Sequence, residues 1–594
     1  EDKNYWAYRP VNVSNHESSS IDSIVDEAIK ANGLVPNSSA DRETLIRRAY
    51  FDLVGLAPTY QEIKAFKTDP SSKEKAFSLL VDKLLAMPEY GERWGRHWLD
   101  VVRYAQTNGY ERDDEKPNAW RYRDYVIEAF NKDKPYDRFV LEQLAGDELI
   151  LEAFNQDKPF MEAGDEGLIA TGFYRLGVWD DEPDDKKVAE YDGLDDMLRT
   201  TTETFLGLTT GCARCHDHMF DPISQKDYYS MLAYFRNVRN YAKPSDKGII
   251  LRSIDGGKAL SVSEHGSESP ETHLLIRGDA YRPERKVEPM IPEIFSTDGP
   301  EPEPTENSSG RRLALAKWIT DPTNPLTARV MVNRIWQYHF GRGIVGTPND
   351  FGRAGEPVSN LELLDWLATE FINSGWSIKH MHRVVMNSRA YKRSSEPNVR
   401  NAGKDPGNVH HWRMNLRRLE AETIRDRILQ ISGKLNPKRG GPSFYPALNG
   451  EVVAGASKPG RGWRWSNEEE QNRRSVYAFV KRTMVYPFFE LFDYANTEGS
   501  LGTRPQTTVA PQALLMLNSE LIVENARSIA ERAFPSEDPV REAFRTVLAR
   551  DPDPKERSMA ERFLSDQHEK QKSFRGQMRF RPDYPSAFFK DYHK

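Results

Sequence analysis

The only two cysteines of this 594-residue chain, Cys212 and Cys215, stand three positions apart. No disulfide can therefore tie distant parts of the fold together, and so long a chain must be held by packing alone. The material is there: 38% of residues are hydrophobic, with 12 Trp, 25 Tyr and 27 Phe, enough to fill large cores. At ~150 residues per domain, the length implies roughly three to four packing units.

A histidine follows the second cysteine directly, giving Cys212-Ala213-Arg214-Cys215-His216. This is the c-type haem attachment signature. Two thiols add across neighbouring vinyl groups while the imidazole meets the iron axially, so His216 is the expected proximal ligand of one covalent haem c. Two other readings stay open. A redox-active pair of cysteines usually sits in a βαβ setting, which the pattern here lacks. A zinc site would use Cys212, Cys215 and His216 or His218, but a structural zinc wants four ligands and no second cysteine pair exists.

Haem attachment takes place beyond the bacterial inner membrane, so the haem reading carries an expectation of export to the periplasm or exterior. The chain opens on Glu1-Asp2-Lys3-Asn4 without a signal peptide, and a trimmed mature form is expected. No run of ~18 apolar residues occurs, so no transmembrane segment is expected. The 83 basic and 90 acidic residues are interspersed and leave a net charge of −7, which offers no electrostatic case for nucleic acid.

The periodicity is mainly helical. Asp41 can cap a helix carrying Leu45, Ile46, Ala49 and Leu53, with Gly55 as its stop. Leu194 to Leu208 reads as helix leading into the cysteine motif. Asn360 can cap a helix ending at Gly375, and Leu419 to Ile431 stops at Gly433. Between them, Ile249-Ile250-Leu251 and Leu274-Leu275-Ile276 are short apolar runs among glycine and charge. The expected fold is mainly α and multi-domain, with a small β insertion around 248–293. The expected division is a haem-binding helical domain over 1–245, the β-rich insertion over 246–294, a linker over 295–310 and a second helical domain over 311–594.

Tyr90 to Tyr125 mixes arginines with aromatic rings in a way that suits a partly buried polar site. His97 is the first candidate for the distal haem face, ahead of His339 and His382. His218 and Met219 lie too close in sequence to His216 to fold over it. His97, Asp100, Arg103 and Tyr104 are the candidate catalytic residues, supplying acid, base or radical-relay groups. Arg96 and Arg121, with Arg103 and Arg123, can grip haem propionates or an anionic substrate, or pair with Asp100, Asp113, Asp114 and Asp124. The acidic run Asp180 to Asp185, with Asp192, Asp195 and Asp196, has the oxygen content for calcium but not the EF-hand pattern, and reads as a solvated loop.

Long stretches carry a resemblance. They include ADRETLIRRAYFDLVGLAPT (40–59), YGERWGRHWLDVVRYAQTNGYERD (90–113), GLTTGCARCHDHMFDPISQKDYY (207–229), NPLTARVMVNRIWQYHFGRGIV (324–345) and RRLEAETIRDRILQISG (417–433). The chain resembles the planctomycete-type cytochrome-associated proteins, which pair two domains of unknown function. Met219 departs from the lysine usual there, and the tail lacks the family's ending. The resemblance implies an internal c-type haem and a partner cytochrome domain. It also implies a role near polysaccharide degradation, since such proteins are encoded beside sulfatases and glycan-degrading enzymes.

Three functions follow as expectations. The first is an exported haem oxidoreductase, peroxidase- or oxygenase-like, acting at the iron on a carbohydrate, including an anionic glycan. The second is a monohaem electron-transfer protein docking to a partner cytochrome. The third is a glycan-binding scaffold with structural haem.

Overall fold

Helices begin and end where the caps stand. Asp41 accepts a hydrogen bond from the Thr44 N–H at 2.7 Å and opens a helix over Arg42–Leu53; Gly55 closes it at φ +67°. Asn360 does the same for Leu361–Asn373 through the Leu363 N–H at 2.9 Å, with Gly375 beyond its end. Gly433 terminates Ala421–Ser432 in the left-handed region at φ +76°.

The computed structural model describes residues 2–11, 19–110, 112–155, 164–180, 182–239, 251–448 and 463–578. Ile249 and Ile250 of the expected insertion, Asp181, and the tail aromatics Tyr584, Phe588, Phe589 and Tyr592 lie outside the described residues.

The helices of the first half are α1 (Ile21–Ala31), α2 (Arg42–Leu53), α3 (Tyr60–Thr68), α4 (Lys73–Leu85), α5 (Glu89–Val101), α6 (Ala119–Asn131), α7 (Tyr136–Asn155), α8 (Gly164–Ala170), α9 (Lys186–Thr201) and α10 (Gln225–Leu232). The second half adds α11 (Arg311–Ile319), α12 (Thr327–Phe340), α13 (Leu361–Asn373), α14 (Ile378–Asn387), α15 (Arg389–Lys392), α16 (Val399–Lys404) and α17 (Ala421–Ser432). Short helices at Glu468–Gln471 and Pro487–Leu491, then helices between Ala510 and Met578, complete the described chain.

The fold is mainly α. Among the described residues the only sheets are two antiparallel pairs, β1 (Leu251–Ile254) with β2 (Gly257–Leu260) and β3 (Thr272–Leu275) with β4 (Pro283–Val287). They fall in the expected insertion. The first pair rests on α6 and α8, the second on α10.

One hydrophobic cluster runs from Ala7 to Ala549 and draws on both halves. Helix α4 packs on α14, α1 on α13, and α7 on α11. Helix α5 is buried along nearly its whole length, Tyr90 to Val101. It lies tight against α6 because Gly91 and Gly95 face that neighbour one turn apart. A Cβ at Gly91 would stand 2.3 Å from the Ile127 carbonyl oxygen.

Several buried ion pairs join distant segments of this core. Fully buried Arg312 meets Asp147 at 2.8 Å, Glu148 at 2.9 Å and Glu264 at 2.9 Å, joining α11 to α7 and the insertion. The same Glu264 receives the Ser309 N–H and the Ser308 hydroxyl, so the segment ahead of α11 is anchored at its end. Arg474 joins Glu92 of α5 to Asp426 of α17, each at 2.9 Å. A buried charge without a partner costs several kcal/mol, so these contacts dictate how the halves fit together.

Candidate functional site

The cysteine motif sits on a turn that two elements hold in place. Helix α9 starts at Asp185, whose carboxylate accepts the Lys187 and Val188 N–H groups, and runs on through one π turn at residues 202–206. Such turns are rare and concentrate at functional sites. Arg334 of α12 donates to the carbonyls of Glu203 and Thr204, so the second half pins the turn ahead of the motif. A 3-10 turn, Gly211–Arg214, then carries the first cysteine.

The Arg214 carbonyl accepts from the Tyr229 hydroxyl and the Gln225 amide, both at 3.0 Å, which fixes the turn to α10. The Arg214 guanidinium reaches Asp192 at 2.7 Å. Cys212 and Cys215 are unpaired and exposed. His216 is also exposed, with Nδ1 2.7 Å from the Asp217 carbonyl oxygen. If Nδ1 carries the proton, that bond orients the ring and leaves Nε2 as its coordinating atom. The loop after β3 comes close here: a Cβ on Gly278, itself at φ +73°, would stand 3.0 Å from Cys215 Sγ. Met219 and Phe220 follow with 74% and 55% of their surface exposed.

His218 is turned inward. Its Nδ1 accepts the Asp221 N–H at 3.0 Å, and Asp221 in turn receives the Tyr8 hydroxyl and the Arg353 N–H. It is a structural residue. Among the described residues no group of three or more His, Cys, Asp or Glu side chains is clustered to hold a metal ion, so neither the zinc nor the calcium alternative finds a ligand set. Asp180, Glu182, Asp184, Asp185, Asp192 and Asp196 instead line an open cleft of about 650 Å³ with Trp179 and Tyr110 on its walls. Asp192 lines the cleft and pairs with Arg214 of the motif.

Exposed adjacent thiols and an oriented imidazole fit covalent haem attachment. The rest of the expected haem pocket is not assembled around them. His97, expected on the distal face, is buried on α5; it stacks on Tyr338 with ring centroids 3.8 Å apart and touches Trp94 edge-on. Burial, and then the Arg93 guanidinium, hold it well below the usual imidazole range. His339 and His382 bond to each other, 2.9 Å apart. No described hydrogen bond, ion pair or ring contact links any of the three to the motif.

The arginines are also spoken for. Arg96 pairs with Asp100 and with Glu422, and Arg504 grips Asp100 at 2.6 Å from the other side. Arg103 holds Asp196 by two bonds, 3.0 and 2.5 Å. Arg121 donates to the Gly256 carbonyl at 2.8 Å and lies over Trp120. Arg123 pairs with Asp124 at 2.7 Å. Tyr104 is buried, its hydroxyl without a hydrogen-bond partner among the described residues. Arg96 and Arg121 therefore do not reach propionates at the motif, and His97, Asp100, Arg103 and Tyr104 form no single catalytic group. An anionic glycan meets no free guanidinium from this set, and the cleft beside the motif would repel it.

His97 and Asp100 do come together elsewhere, in a cavity between α5, α12, the segment 417–420 ahead of α17 and the segment 492–506. Its other polar walls, Gln337, Glu420 and Arg504, come from the second half and were not singled out from sequence. Their signal lay only in stretches of family resemblance such as RRLEAE at 417–422.

The family models match on both sides of this cavity. PSCyt2, a protein family of unknown function (DUF1549), matches residues 20–240. PSD1, a protein family of unknown function (DUF1553), matches residues 311–564. The chain belongs to the planctomycete cytochrome-associated family. In this member, the PSCyt2 segment carries α5 and the cysteine motif, while the PSD1 segment supplies α12 and the residues 417–420 ahead of α17. No curated protein and no solved structure matches the chain. Among the described residues no helix is long and apolar enough to cross a membrane.

Proposed function

We propose that the chain is an exported c-type monohaem redox protein that would exchange electrons with a partner at the surface around Cys212, Cys215 and His216. The observation that carries this reading is the turn at 212–216: two exposed, unpaired thiols with an exposed histidine whose Nδ1 meets a carbonyl. Cys212 and Cys215 would hold the haem covalently and His216 would ligate it; when bound, the group supplies one-electron chemistry. The chain's own residues do the positioning. Asp217 orients the imidazole, Tyr229 and Gln225 fix the turn, and Gly278 leaves room beside Cys215. Exposed Met219 and Phe220 next to the motif supply an apolar docking face for a redox partner, such as a partner cytochrome.

A second reading, an oxidoreductase with its substrate held beside the iron, is favoured by the 650 Å³ cleft whose wall residue Asp192 grips Arg214. Its acidic lining selects neutral or cationic substrates over anionic glycans.

Production in a periplasm with a cytochrome c assembly system, followed by visible spectroscopy, tests both. The expected result is a Soret band and haem that stays with the chain on a denaturing gel, lost in Cys212→Ser and Cys215→Ser. A chain without haem in that background overturns the proposal. Ferrous protein indifferent to carbon monoxide supports electron transfer; carbon monoxide binding supports the second reading.

A further inference from the structure

The cavity between the two family segments has a volume of about 60 Å³ and lies apart from the motif. At roughly 10–15 Å³ per water, it holds about four to six waters or the few heavy atoms of a small organic group. Its walls carry charge, but that charge is spent. Arg504 holds Asp100 at 2.6 Å and Glu422 at 2.8 Å. Arg93 holds Glu420 by two bonds, Arg417 holds Asp52 at 2.6 Å, and Arg418 pairs with Asp493. An ionic ligand entering here finds no unmatched countercharge and loses its hydration.

What the walls lack is partners for neutral groups. Gln337 is 5% exposed; its amide nitrogen donates to the Gly502 carbonyl at 2.8 Å, which makes Oε1 the acceptor left over, and Oε1 has no hydrogen-bond partner among the described residues. His97, 4% exposed and held between Tyr338 and Trp94, makes no hydrogen bond to any described residue. Burial keeps its ring neutral, so it offers one acceptor and one donor nitrogen. Buried polar atoms are nearly always satisfied, so Gln337 Oε1 calls for a donor, and the His97 ring, bonded by no described group, lines the same cavity.

We propose that this cavity binds an uncharged polyhydroxy ligand, a small polyol or the hydroxymethyl end of a neutral sugar, whose hydroxyls bond to His97 and to Gln337 Oε1. The site needs both family segments, since His97 comes from one and Gln337 from the other. It is independent of the haem reading.

The test is a ligand-observed NMR titration of the full chain with three probes of one size: glycerol, glycerate and 3-amino-1,2-propanediol. Glycerol is expected to bind, with its charged congeners at least tenfold weaker. His97→Phe and Gln337→Leu are each expected to weaken glycerol by tenfold or more. Equal or tighter binding of a charged congener overturns the proposal, as does glycerol binding unchanged by both variants. Should a variant fail to fold, crystals of the unaltered chain soaked in glycerol decide. Density bonded to both side chains, with binding in solution, supports it; water only, or binding at crystal concentration only, overturns it.

Discussion

His339 Nε2 lies 2.9 Å from His382 Nδ1, and both rings are fully buried. The pair is the middle of a longer chain. His382 Nε2 is 3.1 Å from the Tyr90 hydroxyl, and His339 Nδ1 faces Asp52 Oδ2 at 3.5 Å. One proton assignment satisfies it: Tyr90 donates to His382, His382 to His339, and His339 points its remaining N–H at Asp52. Tyr90 and Asp52 come from the first half, the histidines from the second.

Acid should destabilise this protein steeply. Burial, and then His339, hold His382 well below the ordinary imidazole range; burial also lowers His339 and His97, and takes His411 down to about 3. A histidine whose folded pKa is depressed binds fewer protons folded than unfolded. Its stability is therefore complete above the unfolded pKa of about 6.5 and is lost as pH falls toward the folded value. His411, at about 3, contributes a loss of about 2 kcal/mol between pH 6.5 and 5, and the other three act in the same direction. Denaturant titrations at pH 7 and pH 5 check this, and an unchanged midpoint would contradict it.

Asp52 anchors the chain. Burial opposes its ionisation, but Arg417, His339 and Tyr391 outweigh burial and hold its pKa at about 2. Asp52→Asn leaves Arg417 short of its countercharge and should cost about 3 kcal/mol. Adding Arg417→Met should return part of that, measured by a double-mutant cycle. Strict additivity would show that the two residues are not coupled.

Arg312 should tolerate no conservative replacement. It serves Asp147, Glu148 and Glu264 through separate nitrogens of one planar fork. Lysine offers a single point charge, so Arg312→Lys should cost about 3–5 kcal/mol, read as a lowered melting temperature or loss of soluble protein. A melting temperature like that of the unaltered chain would show the hub to be dispensable.

In haem-free protein both thiols should react with Ellman's reagent without denaturant, because Cys212 and Cys215 are exposed. Gly278→Ala forces a side chain into the left-handed region, at about 1–2 kcal/mol, and places a methyl against Cys215 Sγ. It should slow labelling of Cys215 relative to Cys212. Equal slowing of both, or none, would mean that the loop after β3 does not crowd the sulfur.

The legible parts of the fold were local. Asp41, Asn360 and Gly433 act within one helical turn of themselves, so their roles follow from residue type and spacing. The same holds for Arg96 with Asp100, an i,i+4 pair on α5. Arg103 meets Asp196 across 93 positions, and nothing near either residue announces the other. His97 was expected on the distal haem face; it lies instead among rings, and its surroundings, Tyr338, Gln337 and Glu420, arrive from more than two hundred residues away.

By itself, then, the sequence determined a helical chain with no disulfide between distant segments, its family membership, and a cysteine motif whose chemistry depends on five adjacent residues. Tertiary structure alone decided that the arginine-rich helix serves the junction between the two family segments and not the motif. The physical reason is desolvation. Every guanidinium of α5 enters the core with a carboxylate, and which carboxylate is available depends on how distant helices pack.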